Sequence, residues 1–388
     1  MLDVIERYEN DVSREHDRVE KDIRYCVYEL SRDKEINLDD KIRFGIELSK
    51  MALRNAEKPA LSCSFGIDSI VTLWMAYKAM DELGMERDKL TVIWNNTLNE
   101  FPEVREFADW ITEEWGINLQ VYKPKKPLKK IIDDNGGVTD EYFTNRKSDR
   151  RNNEKPLSEK CCGTLKHEPM RRAIKENEFD LIFTGQRSDE SSQRKIAGLR
   201  DGDYFYSKSE WKSFMCKPIQ YITEKELWQF VYEYDIPFND LYNKNLIKKY
   251  PPQEKATFNI MTNYDELKNL GLDVDALLDQ QVSTVDRRQA IRLKELDFEI
   301  FTPRTGCQMC PIPVKYGYLG WMRRYYPKVY KAMIYNLGYG PALMNLIPDE
   351  VKNDVEGFTG YNLTSENASD ILEEILDYRP CVFDELKT

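Results

Sequence analysis

A short apolar run, Pro59-Ala60-Leu61-Ser62-Cys63-Ser64-Phe65, leads directly into Gly66 and then into an apolar helical stretch from Ile70 to Met80. This junction constrains the fold more than any other feature. A strand, a tight turn and a helix pack back onto one sheet when the next strand lies parallel to the first. The next strand is expected at Lys89 to Asn96, where Leu90, Val92, Ile93 and Trp94 cluster. A helix from about Pro102 to Trp115 and a third strand at Asn118 to Tyr122 continue the alternation. After an irregular, charged stretch near 136–158, a helix over about Thr164 to Glu176 and a buried strand at Phe179 to Thr184 resume it. Tyr204-Phe205-Tyr206 and Met215-Cys216-Lys217-Pro218-Ile219 are expected to pair as an antiparallel addition. Thr223 and Glu226 form a capping-box signature for a helix over Glu224 to Tyr234.

The expected fold class is therefore α/β, with a doubly wound, mainly parallel sheet. Residues 1–57 read as an N-terminal helical segment, with Ile42, Ile46 and Leu53 at helical spacing. Residues 58–245 read as the α/β domain, and 246–388 as a mainly helical C-terminal region without clear strands.

Bulk properties narrow the functional classes. Hydrophobic content of 41% with 12% aromatics is that of a globular chain. No apolar run approaches the roughly 20 residues that span a bilayer, and the charged start, Met1 to Arg7, lacks a signal-peptide core. A cytoplasmic location without a membrane partner is expected. In that compartment eight cysteines point to metal or sulfur chemistry rather than to structural disulfides. A net charge of −11 excludes a surface that is basic overall, but not a local basic patch. The groups Lys125-Lys126 with Lys129-Lys130, Arg146-Lys147 with Arg150-Arg151, and Arg323-Arg324 read first as solvated faces.

Ser64-Phe65-Gly66-Ile67-Asp68-Ser69 joins a strand to a helix. Gly66 would let the backbone turn tightly, and the amides and hydroxyls that follow could hold a phosphate at the positive helix end. An ordinary capped turn uses the same residue types. The Gly-x-x-x-x-Gly-Lys-Ser/Thr spacing of a Walker loop is absent, so that class is excluded. Arg187 falls at the C-terminal end of an expected parallel strand, where such sheets bind ligands, and its guanidinium fork suits phosphate or sulfate. Ion pairing with Asp189 or Glu190 is the plainer use.

Cys161-Cys162 and Cys307-Gln308-Met309-Cys310 could together supply four thiolates to a [4Fe–4S] cluster or, less readily, to zinc. Cys26, Cys63 and Cys216 read as buried small residues. Between Gly317 and Leu337, Tyr318, Trp321, Tyr325, Tyr326, Tyr330 and Tyr335 interleave with Arg323, Arg324, Lys328 and Lys331. That pattern suits either single-stranded nucleic acid or a helix packing its aromatic side inward. His16 and His167 form no metal or triad pair.

Over about 59–245 the chain resembles the ATP pyrophosphatase and phosphoadenylyl-sulfate (PAPS) reductase superfamily. Its loop is similar to that family's Ser-Gly-Gly-x-Asp-Ser pyrophosphate loop. Asn96 to Glu103 resembles the segment after the second strand, and Thr184 to Arg194 resembles a Gly-x-Arg-x-x-Glu-Ser-x-x-Arg signature. Pro218-Ile219 and Ile236 to Tyr242 resemble the closing segment. The resemblance implies an adenine-nucleotide site built from Ser62, Ser64, Phe65, Gly66, Ile67, Asp68, Ser69, Asn96, Glu100, Gly185, Arg187, Glu190 and Arg194. Within it, Asp68, Ser69 and Arg187 would carry the chemistry, with ATP and Mg²⁺ as cofactors.

Two branches compete. The loop ends in Asp68-Ser69, as in the pyrophosphatase members, whereas Phe65 in place of a first glycine is reductase-like. The Glu-Cys-Gly-x-His nucleophile segment of reductases is absent, and Cys381 is the only late cysteine. Asp-Ser together with four cluster cysteines resembles the iron–sulfur ATP pyrophosphatases of DNA phosphorothioation. That resemblance implies sulfur transfer to an adenylated acceptor, the DNA backbone being favoured. A cysteine desulfurase and other modification proteins would be the partners. A reductase of adenylyl sulfate (APS) or PAPS, and a nucleotide-binding scaffold without turnover, are the alternatives.

Overall fold

The computed structural model describes residues 2–11, 36–139, 141–144, 157–364 and 367–378. The chain divides into two compact units that interleave in sequence. The first comprises Met1–Leu98, Pro102–Pro124 and Lys166–Asn239; the second comprises Asn99–Phe101, Lys125–Leu165 and Asp240–Thr388.

The first unit is built on a six-stranded sheet. Its strands are β1 (Pro59–Cys63), β2 (Thr91–Asn95), β3 (Leu119–Tyr122), β4 (Leu181–Thr184), β5 (Tyr204–Ser207) and β6 (Ser213–Cys216). They lie in the order β3-β2-β1-β4-β6-β5. Every pairing is parallel except β5 with β6, whose register sets Tyr204 opposite Cys216 and Ser207 opposite Ser213. The chain runs outward from β1 to β3, then returns to β1's other side with β4. That reversal opens a crevice at the C-terminal ends of β1 and β4, the place where open α/β sheets bind ligands.

Both faces of the sheet are covered, which explains the near-continuous apolar runs of β1 and β4. On one face Ala60, Ile93, Ile182 and Met215 pack under Met170, Ala173 and Ile174 of the helix Glu168–Asn177. The helices Leu38–Arg54 and Ile67–Leu83 present buried stripes including Leu48, Met51, Ile70 and Leu73. They approach closely at Gly45, where an added Cβ would stand 2.6 Å from the Pro218 carbonyl oxygen and 2.9 Å from Met75 Sδ.

The second unit is mainly helical, as expected, but it also holds strands that the sequence does not announce. It contains a three-stranded antiparallel sheet, β7 (Asn245–Lys249), β8 (Thr284–Val285) and β9 (Glu299–Phe301), in the order β8-β7-β9. The flanking helices close a core of Ile260, Leu267, Leu277, Ala290, Leu293 and Phe298 over it. Strands of two and three residues leave no periodic signal, so the neighbouring helical pattern dominates that part of the sequence. No described helix is long and apolar enough to cross a membrane.

Candidate functional site

The loop after β1 is held by its own side chains. Ser69 is buried; its hydroxyl donates to the Gly66 carbonyl at 2.8 Å and accepts from the Ser64 amide at 3.3 Å. It fastens the loop rather than projecting from it. Gly66 starts the helix Ile67–Leu83 at φ −82° with no side-chain cap. The left-handed residue is Phe65, at φ 55°. The sequence reading gave the tight turn to Gly66, and the structure gives it to Phe65, whose ring anchors the strained backbone. That ring is fully buried and meets Trp94 edge-on at 5.2 Å. The buried side chain of Asn239 donates to the Phe65 carbonyl at 2.7 Å. Asn239 lies within the closing segment Ile236 to Tyr242, and nothing local in its sequence announces this duty.

Arg187 enters from the end of β4 and is 5% exposed. Its Nε donates to Asp68 Oδ1 at 2.5 Å, and one Nη reaches the Ile222 carbonyl at 3.4 Å. Burial alone would disfavour the guanidinium charge, yet the Asp68 carboxylate holds its pKa above the ordinary value. Glu190 accepts from the Arg187 amide and from the Arg194 guanidinium. Burial raises the Glu190 pKa against the pull of Arg194. Gly185 is required here, because a Cβ would stand 2.6 Å from the Asp68 carbonyl oxygen.

Asp68, Ser69, Gly185, Arg187, Glu190 and Arg194 thus form one connected network, with Ser62 and Ser64 on the adjoining strand and loop. Asn96 follows β2, its side-chain oxygen accepting from the Leu98 amide at 2.9 Å. Glu100 is buried but belongs to the second unit.

The four cluster cysteines all fall in the second unit. Cys161 is buried and lies 3.5 Å from Tyr142 Oη; burial raises its thiol pKa to about 11. Cys162, Cys307 and Cys310 are half-buried. The segment between Cys307 and Cys310 is clamped by buried tyrosines: Tyr339 donates to the Met309 carbonyl at 2.5 Å, and Tyr318 donates to that of Gln308. Cys161, Cys307 and Cys310 all lie close enough to Tyr339 to raise its pKa electrostatically, beyond the larger effect of its burial. Thiols suit an iron–sulfur or zinc centre chemically. Among the described residues, however, no three His, Cys, Asp or Glu side chains are arranged to hold a metal ion. The donors share a neighbourhood without forming a ligand set.

Other candidates resolve differently. Tyr318, Trp321, Tyr326 and Tyr330 are buried, Tyr325 is half-buried and Tyr335 is exposed, so most of the aromatic run is core. Arg323 donates to the Glu373 carbonyl at 3.2 Å. Lys126 and Lys130 pair with Asp134, and Lys129 with Asp133, at the surface. His167 stacks on Trp211 near Glu210, half-exposed. Cys63 and Cys216 are buried, as expected of small core residues. His16, Cys26, Arg146, Lys147, Arg150, Arg151 and Cys381 lie outside the described residues.

Residues 58–313 match the phosphoadenosine phosphosulfate reductase domain family. A phosphoadenosine 5'-phosphosulfate reductase of Xanthomonas euvesicatoria is 29% identical over 191 residues, covering 49% of this chain and 68% of that protein. A protein of the same name from Xylella fastidiosa is 28% identical over 222 residues, covering 54% and 81%. Neither is named for DNA phosphorothioation. The PAPS reductase of Candida auris is a weak structural neighbour, with TM-score 0.38 and 17% identity over 57% of this chain and 91% of that one. With the family match spanning the sheet and its loop, the chain belongs to the phosphoadenosine phosphosulfate reductase domain family.

Proposed function

We propose that this chain binds an adenine sulfonucleotide at the C-terminal edge of the six-stranded sheet and reduces it. The observation that carries the reading is Arg187, buried at the end of β4 and tied to Asp68 in the loop that follows β1. A buried guanidinium beside an uncapped helix start is a site for phosphate or sulfate oxygens. An incoming oxyanion would share Arg187 with Asp68, while the loop amides hold the 5'-phosphate. A thiolate then attacks the sulfonyl sulfur, and the sulfur–oxygen bond to the phosphate breaks. The nucleotide leaves with that electron pair. A second thiol displaces sulfite, and the two thiols end as a disulfide. The reading needs a dithiol donor, and Cys381 is the late cysteine that the sequence offers for the attack. Sulfite released from PAPS or APS in the presence of a dithiol supports the proposal. Intact sulfonucleotide after prolonged incubation rejects it.

A second reading is favoured by Ser69 and by the shared neighbourhood of four cysteines. In it the site cleaves ATP between the α- and β-phosphates, with Mg²⁺, and adenylates an acceptor for sulfur transfer. A [4Fe–4S] cluster on Cys161, Cys162, Cys307 and Cys310 would then belong to the active form. DNA is the acceptor and a cysteine desulfurase the donor in this version. Burial of most of the aromatic run between Gly317 and Leu337 weakens one of its supports. Pyrophosphate release from ATP is the outcome specific to it.

A further inference from the structure

Lys217 follows β6 directly and is only 6% exposed. Its ammonium lies over the Phe205 ring, 4.8 Å from the centroid, and no carboxylate forms an ion pair with it among the described residues. The acids near enough to attract it are Asp201 and Asp203. Asp201 receives two hydrogen bonds from Arg200, and Asp203 accepts from Tyr8. Arg194 and Arg200 repel it. Burying a cation is costly, and burial lowers the Lys217 pKa despite the attraction of Asp201 and Asp203.

An unsatisfied hydroxyl lies at the matching position of the neighbouring strand. Phe183 pairs with Cys216, so Thr184 and Lys217 are the next residues along two parallel strands. Thr184 is itself in register with Ser62 of β1. Strand alternation puts Ser62, Thr184 and Lys217 on the face of Ala60, Ile182 and Met215, one step beyond that apolar cluster. Thr184 Oγ1 is buried with no hydrogen-bond partner. One residue beyond Thr184, Gly185 packs against the Asp68 backbone, so this polar row borders the Arg187 network.

The geometry points to Lys217 and Thr184 as an oxyanion subsite, taking a phosphoryl or sulfonyl group of the nucleotide that the proposed function places at this sheet edge. The ammonium supplies the charge and the Thr184 hydroxyl a directed donor. Lys217 is then a binding residue in its own right, separate from Arg187 and the loop.

Equilibrium binding of ATP, APS, PAPS, adenosine 3',5'-bisphosphate and uncharged adenosine to wild type, Lys217→Met, Lys217→Arg and Thr184→Val tests this. Methionine fills the same space without charge, so the fold is retained. Lys217→Met should weaken at least one anionic nucleotide by about ten- to a hundredfold, leave adenosine unchanged, and be partly rescued in Lys217→Arg. A loss confined to ligands with a 3'-phosphate identifies that group as the occupant. A loss for ATP, APS and PAPS alike identifies the 5' chain. Unchanged affinity for every anionic nucleotide, or an equal loss for adenosine, overturns the assignment while the nucleotide reading stands. A wild-type chain that binds none of the five overturns both.

Discussion

The side-chain amide of Asn239 donates to the Phe65 carbonyl at 2.7 Å, so a residue far along the chain fixes the one left-handed position of the loop after β1. Asn239→Ala would leave that buried carbonyl without its donor, at a cost of about 1–3 kcal/mol. Urea unfolding should register that loss, and nucleotide affinity should fall with it. Phe65→Gly would relieve about 1–2 kcal/mol of backbone strain. It would also remove a buried aromatic worth roughly 3–5 kcal/mol, so the net effect is destabilising. A stabilised Phe65→Gly variant would show that the ring does not anchor the loop.

Arg187 and Asp68 should respond asymmetrically. Arg187→Lys keeps the charge but loses the fork that spans Asp68 and the Ile222 carbonyl. Its nucleotide affinity should fall about tenfold or more. Asp68→Asn should reduce turnover by about ten- to a hundredfold through loss of a charge-assisted contact. Wild-type kinetics in both variants would mean that the network is only structural.

Asp203 gives stability a defined pH dependence. It is fully buried, and burial raises its pKa to about 6 despite the hydrogen bond from Tyr8. Because the folded value exceeds the unfolded one, the contribution is fully present below about pH 4. It is lost as pH rises through 6, amounting to roughly 3 kcal/mol. Asp203→Asn should flatten the unfolding free energy between pH 4 and 6. An unchanged pH profile would contradict the assignment.

Much of this architecture can be read along the sequence, because β1, β2 and β4 are buried on both faces and spell apolar runs between helical periods. Arg187 stands out through the family resemblance alone: from the residues, ion pairing is its plainer use, and the structure does pair it with Asp68 and Asp189. The three-stranded sheet of the second unit was not legible, since Thr284–Val285 pairs only through its partner β7. Phe65 was misread because side-chain size predicts φ only statistically, and the buried ring against Trp94 overrides that preference. Asn239 and Lys217 were invisible as site residues because their roles come from tertiary neighbours.

The cysteines allow a separate check. If the second reading holds, anaerobically purified protein should carry iron and a visible absorption band, and Cys→Ser at Cys161, Cys162, Cys307 or Cys310 should bleach it. Cys63→Ser should not, since that thiol is buried beneath the loop with its pKa raised to about 11. Colourless, metal-free protein with full activity would remove the cluster from the account.

The central claim is that the loop after β1 and Arg187 form one oxyanion-binding nucleotide site. Calorimetric titration of adenosine 3',5'-bisphosphate into wild type and Arg187→Ala, each first shown to be folded by circular dichroism, tests it most directly. The account predicts saturable one-to-one binding to wild type and a loss of at least about tenfold in the variant. Equal affinity in the two proteins, or no binding to wild type, would contradict it.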